Sequence, residues 1–178
     1  MQITTIGFLG IQHFEDGAAT RGAILVTAMD TKPLEFRITA PVRPQSFQAT
    51  LYGELLNEHI AVDLLGLPLL DAVETKPDLV LVRDNLLMSI ISKQEIPTIR
   101  IMKADQPLMQ KGVEPKMLNP HNSNHPPAKI YTSEKFAGNL QTIAEQLQVI
   151  FLQRDLMEPF ERIERACVDV HGRQLGDR

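Results

Sequence analysis

The order and periodicity of apolar residues in this chain predict an α/β protein. It has a mixed sheet, with three N-terminal strands, then helices alternating with strands, and a C-terminal helical extension. Residues 3–11 (ITTIGFLGI) are apolar nearly throughout, which is the pattern of a strand covered on both faces. Residues 34–40 (LEFRITA) alternate, with Leu34, Phe36 and Ile38 on one side and Glu35, Arg37 and Thr39 on the other, as in a half-buried antiparallel strand. Residues 134–154 place Phe136, Leu140, Ile143, Leu147 and Ile150 at helical spacing.

The remaining elements follow in order. "HFEDGAATRG" connects the first strand to a second over residues 23–29, and "DTKP" turns it into the strand of residues 34–40, forming a hairpin. Pro41 and Pro44 end the pattern, because proline cannot donate to a central ladder. Ser46 is placed to cap a helix over residues 47–65, with Phe47, Leu51, Leu55, Val62 and Leu65 as its core-facing stripe and Gly66 as its stop. Pro68 opens a short second helix. Residues 78–83 (DLVLVR) form a strand, Asp84 opens a helix over residues 85–94, and residues 96–103 (IPTIRIMK) form the next strand. These elements define a core domain over residues 1–103.

Residues 104–131 differ in kind: five prolines and three asparagines fall within residues 104–129, with no usable periodicity, so a long loop or linker is expected, with "KIYT" as a short strand at its end. Residues 132–178 form a third part, with the amphipathic helix of residues 134–154, a break near "DLMEP", a last helix over residues 160–171 closed by Gly172, and a frayed tail.

A chain of 178 residues with 43% hydrophobic and 22% charged residues has an ordinary globular composition. The formal charge of −4 lacks the basic excess of a free-standing nucleic-acid binder. Arg21, Lys32, Arg37 and Arg43 interleave with Glu15, Asp16, Asp30 and Glu35, which reads as a mixed solvated face. Cys167 is the only cysteine, so no intrachain disulfide forms, and the first residues show neither a basic leader nor a membrane span. A cytoplasmic setting and no membrane association are expected.

The element order of residues 3–103 resembles the ribonuclease H-like fold, in which a three-stranded antiparallel start is followed by helices alternating with parallel strands. Nucleases of that fold hold two divalent metals with carboxylates on the first strand and at the end of the first strand after the helices. The metals clamp the attacking and leaving oxygens of a phosphodiester. Asp84 stands at the second position, but "ITTIGFLGIQ" contains no acid, and Glu15 and Asp16 lie beyond its end. The resemblance therefore implies the fold without its complete metal site.

Asp84 has a second role open to it, as an N-cap accepting from the amides of residues 86 and 87, and Arg83 beside it suits an anion. His13 with Glu15 and Asp16, and His121 with His125, are the other polar clusters. Cys167 and His171 share a face of the last helix with Ile163 and Val170, which suits a buried thiol. No phosphate-binding glycine loop, nucleophile elbow or CxxC pair is present. The expectation is a non-catalytic accessory or scaffold subunit of a larger assembly acting on nucleic acid. It would bind a protein partner or a second copy through Phe136, Leu140, Ile143, Leu147 and Ile150, and need no cofactor. The alternatives are a nuclease using Asp84 with Glu15 or Asp16 and Mg²⁺ or Mn²⁺, and a regulatory protein binding a small ligand near Arg83, Asp84 and Lys103.

Overall fold

β-Branched and apolar residues crowd the first third of the chain, and they form strands longer than their apolar runs. In the computed structural model, which describes residues 1–108, 112–122 and 124–176, β1 is Thr5–Phe14, β2 is Ala19–Ala28 and β3 is Pro33–Ile38. The later strands are β4 (Leu79–Val82), β5 (Thr98–Lys103), β6 (Lys116–Leu118) and β7 (Ala128–Tyr131). All seven join one sheet in the order β3-β2-β1-β4-β5-β7-β6. β1, β2 and β3 are antiparallel, β4 and β5 run parallel to β1, and β7 and β6 return antiparallel.

The helices differ from the expectation. The continuous helix expected over residues 47–65 is segmented: α1 (Ser46–Tyr52), a 3₁₀ turn (Gly53–Leu55), α2 (Leu56–Glu58), a π-helical stretch (His59–Gly66) and α3 (Leu67–Ala72). Gly53 breaks it by adopting φ 54°, a conformation that costs glycine little. The stripe splits after this turn: Phe47, Leu51 and Leu55 are 57%, 77% and 68% exposed, whereas Val62 and Leu65 are buried. Gly66 lies within the helical run, which continues through Pro68 into α3, so it does not act as a stop. Gly22 on β2 is required for close approach, since a Cβ there would meet Leu65 Cβ and Leu69 Cδ1, each at 2.9 Å. After β4, Asn85–Lys93 winds as a 3₁₀ helix.

The segment read as a loop supplies β6, and β7 begins at Ala128, so the sheet continues through it. Its short pairing with β7 is set by register, which prolines and asparagines in the sequence conceal. Residues 109–111 and 123 of that segment lie outside the described residues. The C-terminal part begins with a 3₁₀ helix (Glu134–Asn139), followed by α4 (Leu140–Phe151) and α5 (Glu158–Gly176). Gly172 is internal to α5, so the helix takes in most of the expected frayed tail, whose last two residues lie outside the described ones.

Both sheet faces are covered. Ile6, Phe8, Leu81 and Ile99 pack against Leu140, Ile143, Leu147, Phe160 and Ile163 on one side. Leu9, Ile24 and Val82 pack against Ala61, Val62, Leu69, Leu87 and Ile90 on the other. This corrects the expected partner face. Phe136, Leu140, Ile143 and Leu147 are buried and Ile150 is partly buried, because the open sheet needs them as cover. Among the described residues, no helix is long and apolar enough to cross a membrane.

Candidate functional site

β1 and β4 pair only from Ile6↔Leu79 to Leu9↔Val82, so the carboxyl end of β4 falls beside the middle of β1. That end opens into a cleft of about 180 Å³ lined by Leu9, Gly10, Ile11, Gln12, Arg83, Asp84 and Phe160. Ligands of open α/β sheets bind at such carboxyl ends. The sequence delivers Arg83 and Asp84 here because the apolar run "LVLV" is spent and the chain must leave the sheet.

Asp84 has extended backbone dihedrals (φ −78°, ψ 130°), and its Oδ1 accepts from the Leu86 amide at 2.8 Å. It caps the 3₁₀ helix that follows, and the Leu87 amide bonds to the Asp84 carbonyl instead of its side chain. Arg83 points the other way. Its Nη2 donates to Glu164 Oε1 on α5, and its guanidinium lies 5.0 Å from the centre of the Phe160 ring. Its carbonyl accepts from Arg100 Nε at 2.9 Å. Arg100 also donates to Asn85 Oδ1 and Tyr131 Oη, at 3.2 and 3.4 Å, and the Tyr131 hydroxyl donates to Asn85 Oδ1 at 3.1 Å. Lys103 is exposed at the end of β5, three residues past Arg100 on the same sheet edge.

Glu15 and Asp16 do not join this cleft. β1 runs on beyond β4, paired only with β2 as far as Phe14↔Ala19, and the acids sit in the turn past that tip with φ near 55°. Glu15 is committed there: Arg43 donates to it through Nε (2.8 Å) and Nη2 (2.6 Å), and His171 Nε2 lies 3.3 Å from its Oε1. The Arg43 bonds outweigh partial desolvation and hold its carboxyl at about 2, against an ordinary 4.5. Behind it Arg21, expected on a solvated face, is fully buried. Its Nε donates to His171 Nδ1 at 3.0 Å, Nη1 to the Thr39 carbonyl at 2.8 Å, and Nη2 to Gln174 Oε1. His171 stacks on Phe14 with ring centres 4.1 Å apart. With Nδ1 accepting, the imidazole proton belongs on Nε2, facing Glu15. This cluster fastens the last turn of α5 to the β1–β2 tip.

The other sequence candidates are dispersed. His13 Nδ1 pairs with Thr20 Oγ1 at 3.0 Å. His121 is exposed, and the His125 ring packs edge-on against Phe151 at 4.5 Å. Cys167 is buried, and burial pushes its thiol up to about 11. Among the described residues no three His, Cys, Asp or Glu side chains gather as metal ligands. The donor set at the cleft does not fit a pair of divalent cations. Leu9, Gly10 and Ile11 offer no oxygen-bearing side chain, Arg83 adds a positive charge, and Asp84 spends a carboxylate oxygen on its cap.

Glu164, Arg100, Asn85 and Tyr131 escaped the sequence reading, which took Phe160 only as part of the apolar surface of the last helices. Only Arg100 left a trace, as a lone cation between Ile99 and Ile101 in an apolar strand.

By sequence, the chain matches no protein-family model and no curated protein. Its fold has solved counterparts. Human endonuclease V superposes with a TM-score of 0.60 at 13% identity, over 98% of this chain and 86% of that one. Endonuclease V from Streptomyces avermitilis gives a TM-score of 0.60 at 12% identity, over 97% and 83%. The Ciona intestinalis endonuclease V, solved with a DNA containing an inosine followed by a ribo-adenosine, gives 0.52 at 13% identity, over 83% and 77%. The fold is thus ribonuclease H-like, as the element order implied.

Proposed function

We propose that this chain acts on nucleic acid directly, engaging a strand across the middle of β1 and the carboxyl ends of β4 and β5. The observation that carries the reading is the coincidence of fold and cleft. The solved neighbours are described as endonucleases, one of them holding DNA, and the edge that open α/β sheets use for ligands here displays Arg83, Arg100 and Lys103. Those neighbours support the nuclease alternative over the accessory scaffold. The burial of the Phe136–Ile150 stripe removes the surface on which a scaffold would rely. The cleft, at about 180 Å³, falls below the roughly 300–1,000 Å³ typical of small-molecule sites, which favours an extended polymer over an enclosed ligand.

Cleavage of the bound strand is the second reading, favoured by the neighbours' description. Asp84 with Glu15 or Asp16 would be its carboxylates and Mg²⁺ or Mn²⁺ its ion, although in this structure Glu15 is bonded to Arg43 and Asp84 to the Leu86 amide.

The test is to titrate the purified protein against labelled single- and double-stranded DNA and RNA, following anisotropy at low salt. The same substrates are then incubated with Mg²⁺ or Mn²⁺ beside an Asp84→Ala control. Saturable binding supports the proposal, and absence of binding to every oligonucleotide overturns it. Cleavage that disappears in Asp84→Ala would establish the second reading, and its absence alongside binding would exclude Asp84-dependent cleavage.

A further inference from the structure

The place where a ribonuclease H-like nuclease would hold cations between carboxylates instead carries an arginine. β1 contributes Leu9, Gly10 and Ile11 beside the end of β4, and the first residue past β4 is Arg83. Phe160 supports its guanidinium at 5.0 Å, and Glu164 answers it with a carboxylate. We infer that Arg83 stands in for the metal as the counter-charge to a phosphodiester, with Glu164 as an internal anion that the phosphate displaces. This inference rests on the proposed engagement of nucleic acid and names the group that performs it.

Several features agree on this assignment. A guanidinium matches the planar, bidentate geometry of a phosphate as well as that of a carboxylate, so a site that holds Glu164 can hold phosphate by the same bonds. The Arg83 and Glu164 side chains are 35% and 40% exposed. Pairs that open to water hold each other weakly, so a polyanion arriving with several charges can displace the single carboxylate. Arg100 does not share this cleft: side chains alternate along β5, so its guanidinium lies on the opposite face of the sheet, over the Tyr131 ring. Its acceptors are the Arg83 carbonyl, Asn85 Oδ1 and Tyr131 Oη, all neutral, and among the described residues no carboxylate pairs with it. Asp84 opposes an anion here, but it is directed to the Leu86 amide. Once Glu164 is displaced, Arg83 is the charged group left to face the phosphate.

The experiment uses the full chain and a labelled single-stranded DNA 20-mer, with binding measured from 50 to 200 mM salt, in Mg²⁺ and in EDTA. Arg83→Gln is expected to weaken binding about tenfold and to reduce the salt slope by about one. Glu164→Gln, which removes the competing charge, is expected to tighten binding about two- to fivefold. EDTA should change neither result. Circular dichroism and thermal midpoints check that both variants fold, and if Arg83→Gln unfolds, Glu164→Gln decides alone. Wild-type binding with Arg83→Gln unchanged, or with Glu164→Gln no tighter, overturns the site while leaving nucleic-acid engagement standing. Binding that requires Mg²⁺ overturns the replacement of metal by guanidinium. If no strand is bound at 50 mM salt, the proposed function falls first.

Discussion

Arg21 is 2% exposed, and each of its nitrogens has an acceptor. Its Coulomb partners are indirect, so the bonds to His171, Thr39 and Gln174 compensate its desolvation. Arg21→Ala would strand those acceptors and leave a void, at a cost of about 3 kcal/mol, read as a lower midpoint in urea. Glu15 and Glu35 give stability a defined acid limb. The Arg43 bonds hold Glu15 at about 2, and the Thr75 amide and Arg37 hold Glu35 at about 2. Because both carboxyls titrate lower when folded, their contribution is complete above the ordinary 4.5 and disappears as pH falls toward 2. Thermal midpoints should therefore drop across that window, and the double substitution Glu15→Gln with Glu35→Gln should flatten the drop. Cys167, fully buried and titrating near 11, should resist iodoacetamide at pH 8 until the protein is unfolded.

Period identified elements better than it identified their packing, since Leu34 and Phe36, the face expected to be half-buried, are 49% and 36% exposed. The alternation of residues 34–40 identified β3, and the spacing from Leu140 to Leu147 identified α4. The same reasoning failed for the first helix, where Phe47, Leu51 and Leu55 share the period of a core stripe yet face water. Gly53 turns the axis between Leu51 and the buried Ile60, and a glycine's choice of φ is not written in its neighbours. The contrast is testable. Leu51→Ser should alter stability by less than about 0.5 kcal/mol, whereas Leu147→Ala, at a fully buried position, should cost about 2–5 kcal/mol. Gly22→Val forces a branched side chain into the 2.9 Å approach of Leu65 and Leu69, for a loss of about 1–3 kcal/mol in denaturant unfolding.

At the scale of the whole molecule, the order of elements and the mixed sheet came through, because hairpins and helix-linked strands follow one another along the chain. The site came through only in part. Arg83 and Asp84 were visible at the end of "LVLV", but Glu164 reaches Arg83 across 81 residues, and no spacing rule spans that distance. Truncation after residue 131 would remove Leu140, Ile143, Leu147, Phe160 and Ile163 from the core, so that fragment should show no cooperative thermal transition by circular dichroism.

The β1–β2 arm has one more consequence. Beyond Leu9 it has no parallel neighbour, and its tip is held on one side by Arg43 and the Thr20–Val42 bridge and on the other by His171 and Gln174 of α5. The arm and the end of α5 should open together. Amides of residues 11–14 and 170–174 are expected to exchange with solvent deuterium at a shared, faster rate than those of residues 6–9, and Arg43→Ala should quicken both groups alike. Such a unit would make the chain's far end a governor of how widely the upper edge of the sheet can part.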